Sequence, residues 1–150
     1  MPTRRLCLQG GFDHAQGWNN RGGFFGEKHA QALSSVRGAR LVAVSRRNSE
    51  ALRSFTDRYG IKGFQDYRDL LNDPEIDTVV VATPHYLHTD ITLQAANLGK
   101  HILLEKPMAL TLEDCDAIIE AVNKSEVSLM VGHLNQFARC YQKAKEIIDS

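Results

Sequence analysis

The run Arg21-Gly22-Gly23-Phe24-Phe25-Gly26-Glu27-Lys28-His29-Ala30 stands ahead of a helical pattern containing Leu33 and Val36. It comes close to the glycine fingerprint G-x-G-x-x-G. There the first glycine permits a tight turn, the second lets a pyrophosphate approach the backbone and the third lets the helix pack on a strand. Gly23 and Gly26 fill the second and third places, with Phe24 and Phe25 between them, while the first place falls on Arg21. Arginine tolerates positive φ poorly, and Gly22 is only a partial substitute. Further on, Ser45-Arg46-Arg47 stands close to the roughly 20-residue offset at which an acidic residue would bind a ribose 2′-hydroxyl. One hydroxyl and two guanidinium groups suit a 2′-phosphate instead, which favours NADP over NAD as the cofactor. The competing reading of these three residues is a solvated basic turn.

Other chemistries find little support. The chain has 18 basic and 18 acidic residues, and they are scattered, so it carries no footprint for nucleic acid or an anionic membrane. Cys7, Cys115 and Cys140 are far apart and form no Cys-x-x-Cys pair, which argues against a disulfide framework or a zinc site and fits a reducing cytoplasm. Leu6-Cys7-Leu8 is too short for a signal peptide's apolar region, and no stretch is long enough to span a bilayer. His85 and His88 are three apart but lack a third metal ligand at useful spacing. His29, at the start of a helix, reads as a packing or capping residue.

These residues need a scaffold, and the sequence supplies one. Four short apolar runs, Leu41 to Val44, Thr78 to Ala82, His101 to Leu104 and Ser128 to Val131, read as buried strands. Their continuous apolar character requires cover on both faces, as in a parallel sheet with helices on each side. The expected fold is therefore α/β, a doubly wound, Rossmann-like parallel sheet. Between the strands, Thr111 and Asp114 resemble a capping box, and Leu112, Cys115, Ile118, Ile119 and Val122 follow as a stripe expected to face the sheet. Ile91, Ala95 and Leu98 do the same for a helix ended by Gly99, and a helix around Ala51, Leu52, Phe55 and Tyr59 stops at Gly60. Leu71-Asn72-Asp73-Pro74 reads as a turn. A last helix near Phe137 to Asp149 has an apolar face that needs a partner, on this sheet or in another chain.

The N-terminus fits less well. The only strand-like run before Gly23 is Arg5 to Leu8, followed by Gly10-Gly11 and a polar stretch from Phe12 to Asn20. Either residues 1 to 21 are a displaced start joined to intact downstream sequence, which is preferred, or a strand at residues 4 to 8 carries a long inserted loop. Residues 1–21 are accordingly set apart as an atypical segment, and residues 22–150 form the NAD(P)-binding domain.

Several further motifs carry a family resemblance. They are Gly26 to Leu33; Asp73-Pro74-Glu75-Ile76-Asp77 before the Thr78 strand; Thr83-Pro84 with His88; Gly99-Lys100-His101 before Glu105-Lys106-Pro107; and Gly132-His133. In combination the chain resembles the N-terminal half of the Gfo/Idh/MocA oxidoreductases, NAD(P)-dependent enzymes acting mostly on sugars and cyclitols. The resemblance implies that Gly23 and Gly26 lie at the pyrophosphate and that Thr83, Pro84 and His88 border the cofactor. It also implies that Glu105 and Lys106 meet nicotinamide and substrate, with Pro107 fixing the turn, often through a cis bond. Lys106 would be catalytic, because hydride transfer at a carbinol carbon needs a proton donor or acceptor, or a cation holding the oxygen, and a partly buried lysine serves. Where the family commonly has Asn and then Arg-Phe-Pro after Gly132-His133, this chain has Leu134, Gln136-Phe137 and Arg139.

The family's catalytic histidine and most sugar contacts lie on a second α/β domain, and these 150 residues hold only the nucleotide half. Two functions follow. One is the nucleotide-binding half of an oxidoreductase that takes a sugar or polyol when a second domain is supplied. The other is a truncated module that binds nucleotide, or assembles as a homo-oligomer, without turnover.

Overall fold

Valine and isoleucine runs with no polar alternation demand cover on both faces, and the computed structural model, which describes residues 3–10 and 21–150, shows that cover. The strands are β1 (Arg4–Gly10), β2 (Ala39–Ser45), β3 (Lys62–Phe64), β4 (Thr78–Ala82), β5 (His101–Leu104) and β6 (Leu129–Val131). The helices are α1 (Arg21–Leu33), α2 (Ser49–Tyr59), α3 (Tyr67–Asn72), α4 (His88–Asn97), α5 (Leu112–Lys124) and α6 (Arg139–Ile148). All strand pairings are parallel, and the sheet order is β3-β2-β1-β4-β5-β6. This order is that of a doubly wound sheet, the architecture expected from the sequence, but the first strand, expected to be incomplete or altered, is a full seven-residue strand. Along β4, Val79 and Val81 enter one core with Ile91, Ile102 and Ile118, while Val80 enters the other with Leu8, Val44 and Phe55. Both faces of the central strands are dry.

The run read as a strand at residues 4 to 8 is β1, and it occupies the centre of the sheet between β2 and β4. Its pairing with β2 shifts register between Leu6 and Cys7. The stretch from Phe12 to Asn20 lies outside the described residues. Two elements were not legible as such. Lys62–Phe64 is too short to show a period, and the residues read as the turn Leu71-Asn72 are the end of α3.

Helix ends follow the expected chemistry. Gly60 (φ 64°) and Gly99 (φ 69°) take left-handed conformations after α2 and α4. Thr111 caps α5 by accepting from the Asp114 N–H at 3.1 Å, and Asn48 caps α2 in the same way from Ala51 at 2.8 Å. The α5 stripe needs correction. Ile118 is fully buried, but Leu112 is 80% exposed and Ile119 is exposed, because Leu112 sits in the first turn beyond the edge of the core and Ile119 is rotated about 100° from Ile118. Leu98 is likewise exposed, since it lies just past the last turn of α4.

The amino edge of the sheet is held by charges. The buried Lys100 ammonium donates to the carbonyls of Asp73 (3.0 Å) and Ile76 (2.6 Å), pinning the turn before β4 to the start of β5. Lys62 donates to Asp73 (3.0 Å) and Glu75 (2.7 Å). The Glu75 backbone N–H, and then Lys62, hold the Asp73 carboxyl below the usual carboxylate range.

Two predictions follow from this packing. Ile118→Ala should lower unfolding stability by about 2–5 kcal/mol, whereas Leu112→Ala should change it by less than about 0.5 kcal/mol, both measured by urea titration. The contribution of Asp73 is fully present above about pH 4 and is lost as pH falls through its lower folded-state value. Asp73→Asn should therefore flatten the acid limb of a stability profile taken from pH 5 to pH 2.

Candidate dinucleotide and active site

Because every strand is parallel, all carboxyl ends lie on one edge. The chain winds outward from β1 through β2 to β3 and, on the other side, from β4 through β5 to β6. In such sheets ligands lie in the crevice at that switch point, here between β1 and β4. The residues singled out from the sequence gather along this edge in two groups.

The first group follows β2. Ser45 is buried as the last residue of the strand. Arg46 is fixed by its backbone N–H, which donates to Phe64 O at 2.9 Å, and its guanidinium carbon lies 5.0 Å from the centre of the Phe55 ring. Its Nε is buried and has no hydrogen-bond partner. Arg47 is exposed, and its charge joins the Arg68 backbone N–H and side chain in holding Asp66 below the usual carboxylate range.

The second group follows β4 and β5. Thr83 is buried directly after β4, with Oγ1 unpartnered, and Pro84 leads into a 3₁₀ turn at His85–Leu87. The fully buried His88 ring, at the start of α4, is held between two carbonyl oxygens. Its Nδ1 lies 2.8 Å from Pro107 O and its Nε2 lies 3.0 Å from Thr83 O. His88 thereby ties the end of β4 to the turn after β5. Glu105 is buried, its N–H donates to Val81 O at 3.0 Å, and its Oε1 lies 2.7 Å from His29 Nε2 on α1. Gly132 lies against this acid, and a Cβ built there would stand 3.5 Å from the Glu105 carboxylate, an ordinary van der Waals contact.

The Lys106–Pro107 bond is cis. Lys106 itself is exposed rather than partly buried, because it projects beyond the end of β5 where no described element covers it. Leu134, Gln136, Phe137 and Arg139 are all exposed beyond β6.

The glycine run differs from its expected form. Helix α1 begins at Arg21, so Gly22, Gly23, Phe24, Phe25 and Gly26 lie in its first two turns rather than in a loop ahead of it. Glycine adopts helical angles freely and costs only about 1 kcal/mol each relative to alanine, so hydrogen bonding from the following residues extends back through it. A Cβ on Gly26 would meet no described atom within 4 Å, so the close packing assigned to the third glycine is not seen among the described residues.

Sequence reasoning missed four contacts. His29 is a partner of Glu105 rather than a cap. Glu27 accepts from Tyr59 Oη at 2.6 Å and from Arg58 at 3.1 Å. Burial pushes the Glu27 carboxyl up, but these donors outweigh it and bring it below its ordinary value. The rings of Phe55 and Tyr59 lie 4.6 Å apart. Residues 29 and 105, or 27 and 59, have no local spacing that would reveal their pairing. Among the described residues no cluster of three or more His, Cys, Asp or Glu could hold a metal, and no helix is long and apolar enough to cross a membrane.

Comparison with known proteins resolves the lineage. Residues 22–133 match the profile of an oxidoreductase family with an NAD-binding Rossmann fold, GFO_IDH_MocA. The chain belongs to the Gfo/Idh/MocA oxidoreductase family. It is 33% identical over 129 residues to a myo-inositol 2-dehydrogenase of Thermotoga maritima, a match covering 85% of this chain and 39% of that protein. Among solved structures it resembles a probable dehydrogenase from Thermotoga maritima, with a TM-score of 0.83 and 29% identity over 97% of this chain and 40% of the other. It also resembles a biliverdin reductase of Synechocystis sp. PCC 6803, solved with biliverdin and NADP+, with a TM-score of 0.82 and 26% identity over 99% of this chain and 42% of that one. The chain thus spans about two-fifths of the length of these proteins.

The contact between His29 and Glu105 has a measurable consequence. The cycle formed by His29→Ala, Glu105→Gln and the double variant should give a coupling energy of about 0.5–3 kcal/mol in urea unfolding, as expected for directly bonded side chains. A coupling of zero would show that the two act separately.

Proposed function

We propose that this chain is the nucleotide-binding half of an NAD(P)-dependent oxidoreductase that acts on a sugar or cyclitol, with NADP preferred. The observation that carries this reading is the pair of orphaned polar atoms on the carboxyl edge, Arg46 Nε on one side of the switch point and Thr83 Oγ1 on the other. Buried polar groups without partners are uncommon, and a ligand is one standard way to satisfy them. The donor set fits a dinucleotide. Arg46 and Arg47 offer guanidinium groups to a 2′-phosphate beyond β2. The N-terminal turn of α1, with Gly23, offers a positive helix end to the pyrophosphate, and Gly26 keeps the next turn free of a side chain. Thr83, Pro84 and the backbone fixed by His88 border the nicotinamide end.

A bound nicotinamide supplies the hydride donor or acceptor. The chain's own contribution lies in Glu105 and Lys106. Glu105 is anchored by His29 and by β4, and it fixes the backbone from which Lys106 reaches the crevice. Lys106 Nζ would hold the substrate oxygen or exchange a proton with it as the carbonyl forms or is reduced. The polyol class is supported by the likeness to a myo-inositol 2-dehydrogenase. The rest of the substrate site would come from a second domain. Lys106 is exposed, and a second reading, in which the chain binds nucleotide without turnover, follows if no second domain closes over it.

Titration of NADPH fluorescence against the chain tests the proposal. Saturable binding is expected, and Arg46→Ala should weaken it about 10–100-fold, the loss typical of a charge-assisted phosphate contact. No binding of NADPH or NADH would overturn both readings. If binding is present, formation of NADPH from NADP+ and myo-inositol separates them. Turnover that falls at least about 100-fold in Lys106→Ala, with NADPH affinity unchanged, supports the catalytic role. Binding with no turnover, even when a family member's second domain is supplied in the same chain, supports the second reading.

A further inference from the structure

A chain of contacts runs from α1 to Arg46 without involving any residue expected to touch a ligand along the way. Glu27, the residue after Gly26, accepts from Tyr59 Oη at 2.6 Å. The Tyr59 ring lies 4.6 Å from the Phe55 ring at an interplanar angle of 35°. Phe55 is only 4% exposed, and the Arg46 guanidinium carbon stands 5.0 Å from its centre. Arg46 makes no hydrogen bond or ion pair through its side chain with any described residue, and its Nε is buried.

An arginine with no carboxylate partner would ordinarily sample many rotamers, and ordering it on a ligand costs about 2 kcal/mol of side-chain entropy. Here the Phe55 ring supplies the holding force. Attraction between a cation and an aromatic face is worth about 0.5–2 kcal/mol, and it leaves the guanidinium's N–H edge available. Lysine would keep the charge but lose the planar face and the fork of donors.

We infer that Phe55 is a specificity-positioning residue. It serves as a pedestal, braced by Tyr59 and Glu27, that sets the Arg46 guanidinium beside the carboxyl end of β2 so that it meets the 2′-phosphate of NADP already ordered. This inference rests on the NADP reading above and deepens it. Phe55 acts through Arg46 and touches no cofactor. Its effect is therefore confined to cofactors that carry the 2′-phosphate, whereas a merely structural Phe55 would affect NADPH and NADH alike.

The experiment compares dissociation constants for NADPH and NADH by fluorescence titration of the full chain, its Phe55→Leu, Phe55→Tyr and Arg46→Ala variants, and the Arg46→Ala/Phe55→Leu double variant. Phe55→Leu should weaken NADPH binding about 5–10-fold, leave NADH within about 2-fold, and be rescued by Phe55→Tyr, which keeps the ring. In the Arg46→Ala background Phe55→Leu should have no further effect on NADPH. An equal loss for both cofactors, or a full effect of Phe55→Leu without Arg46, would overturn the pedestal. If Phe55→Leu does not fold, Phe55→Met, which fills the space but removes the ring, reads the same contact. A fall of about 5–10-fold in the NADPH to NADH preference supports the inference, and an unchanged preference overturns it. A wild-type chain with no preference, unchanged in Arg46→Ala, would instead show that the NADP reading has failed, and the inference with it.

Discussion

The parallel pairing of Leu6–Gly10 with Thr78–Ala82 at the centre of the sheet is the constraint on which the rest depends. Leu6 to Leu8 and Val79 to Ala82 are buried, so their backbone groups have no solvent to fall back on and must pair with each other. The direction of that pairing places the ends of β1 and β4 side by side. Since β2 and β5 are parallel to them, Arg46, Thr83 and Glu105 all emerge at the same edge. The location of the site follows from strand direction. Its chemistry follows from a few residues at the strand ends.

What holds those residues in place is a small set of cross-links between elements distant in sequence. His88 joins Thr83 O to Pro107 O, so the turns after β4 and β5 move together. His29 joins α1 to Glu105. On the other side, Glu27, Tyr59 and Phe55 join α1 to the neighbourhood of Arg46. Helix α1 is therefore connected to both groups, and it is also the element whose N-terminus would meet the pyrophosphate. Displacing α1 would disturb both ends of the site at once.

The strands were legible because buried parallel strands carry a signature of their own, continuous Val, Ile and Leu, as in Thr78 to Ala82. Helix stops at Gly60 and Gly99 were legible because only glycine adopts that backbone without penalty. The α5 stripe was legible only in part. Helical spacing identifies a face but not its width, and Leu112 and Ile119 fall outside the part that the sheet covers. Of the site, the strand-end motifs could be placed, because the fold puts them on one edge. The cross-links could not, because contacts such as that of His29 with Glu105 depend on how helix and sheet dock. The exposure of Lys106 is likewise set by what surrounds the end of β5, which no local pattern encodes.

The central claim is that a dinucleotide lies across this carboxyl edge. The most direct test is to follow backbone amide shifts of the nitrogen-15-labelled chain as NADPH is added. The account predicts changes concentrated at Ser45 to Arg47, Thr83 to His88, Glu105-Lys106 and the first turns of α1, with the amino edge around Asp73 and Lys100 unmoved. Changes centred on that opposite edge, or none at saturating cofactor, would contradict it.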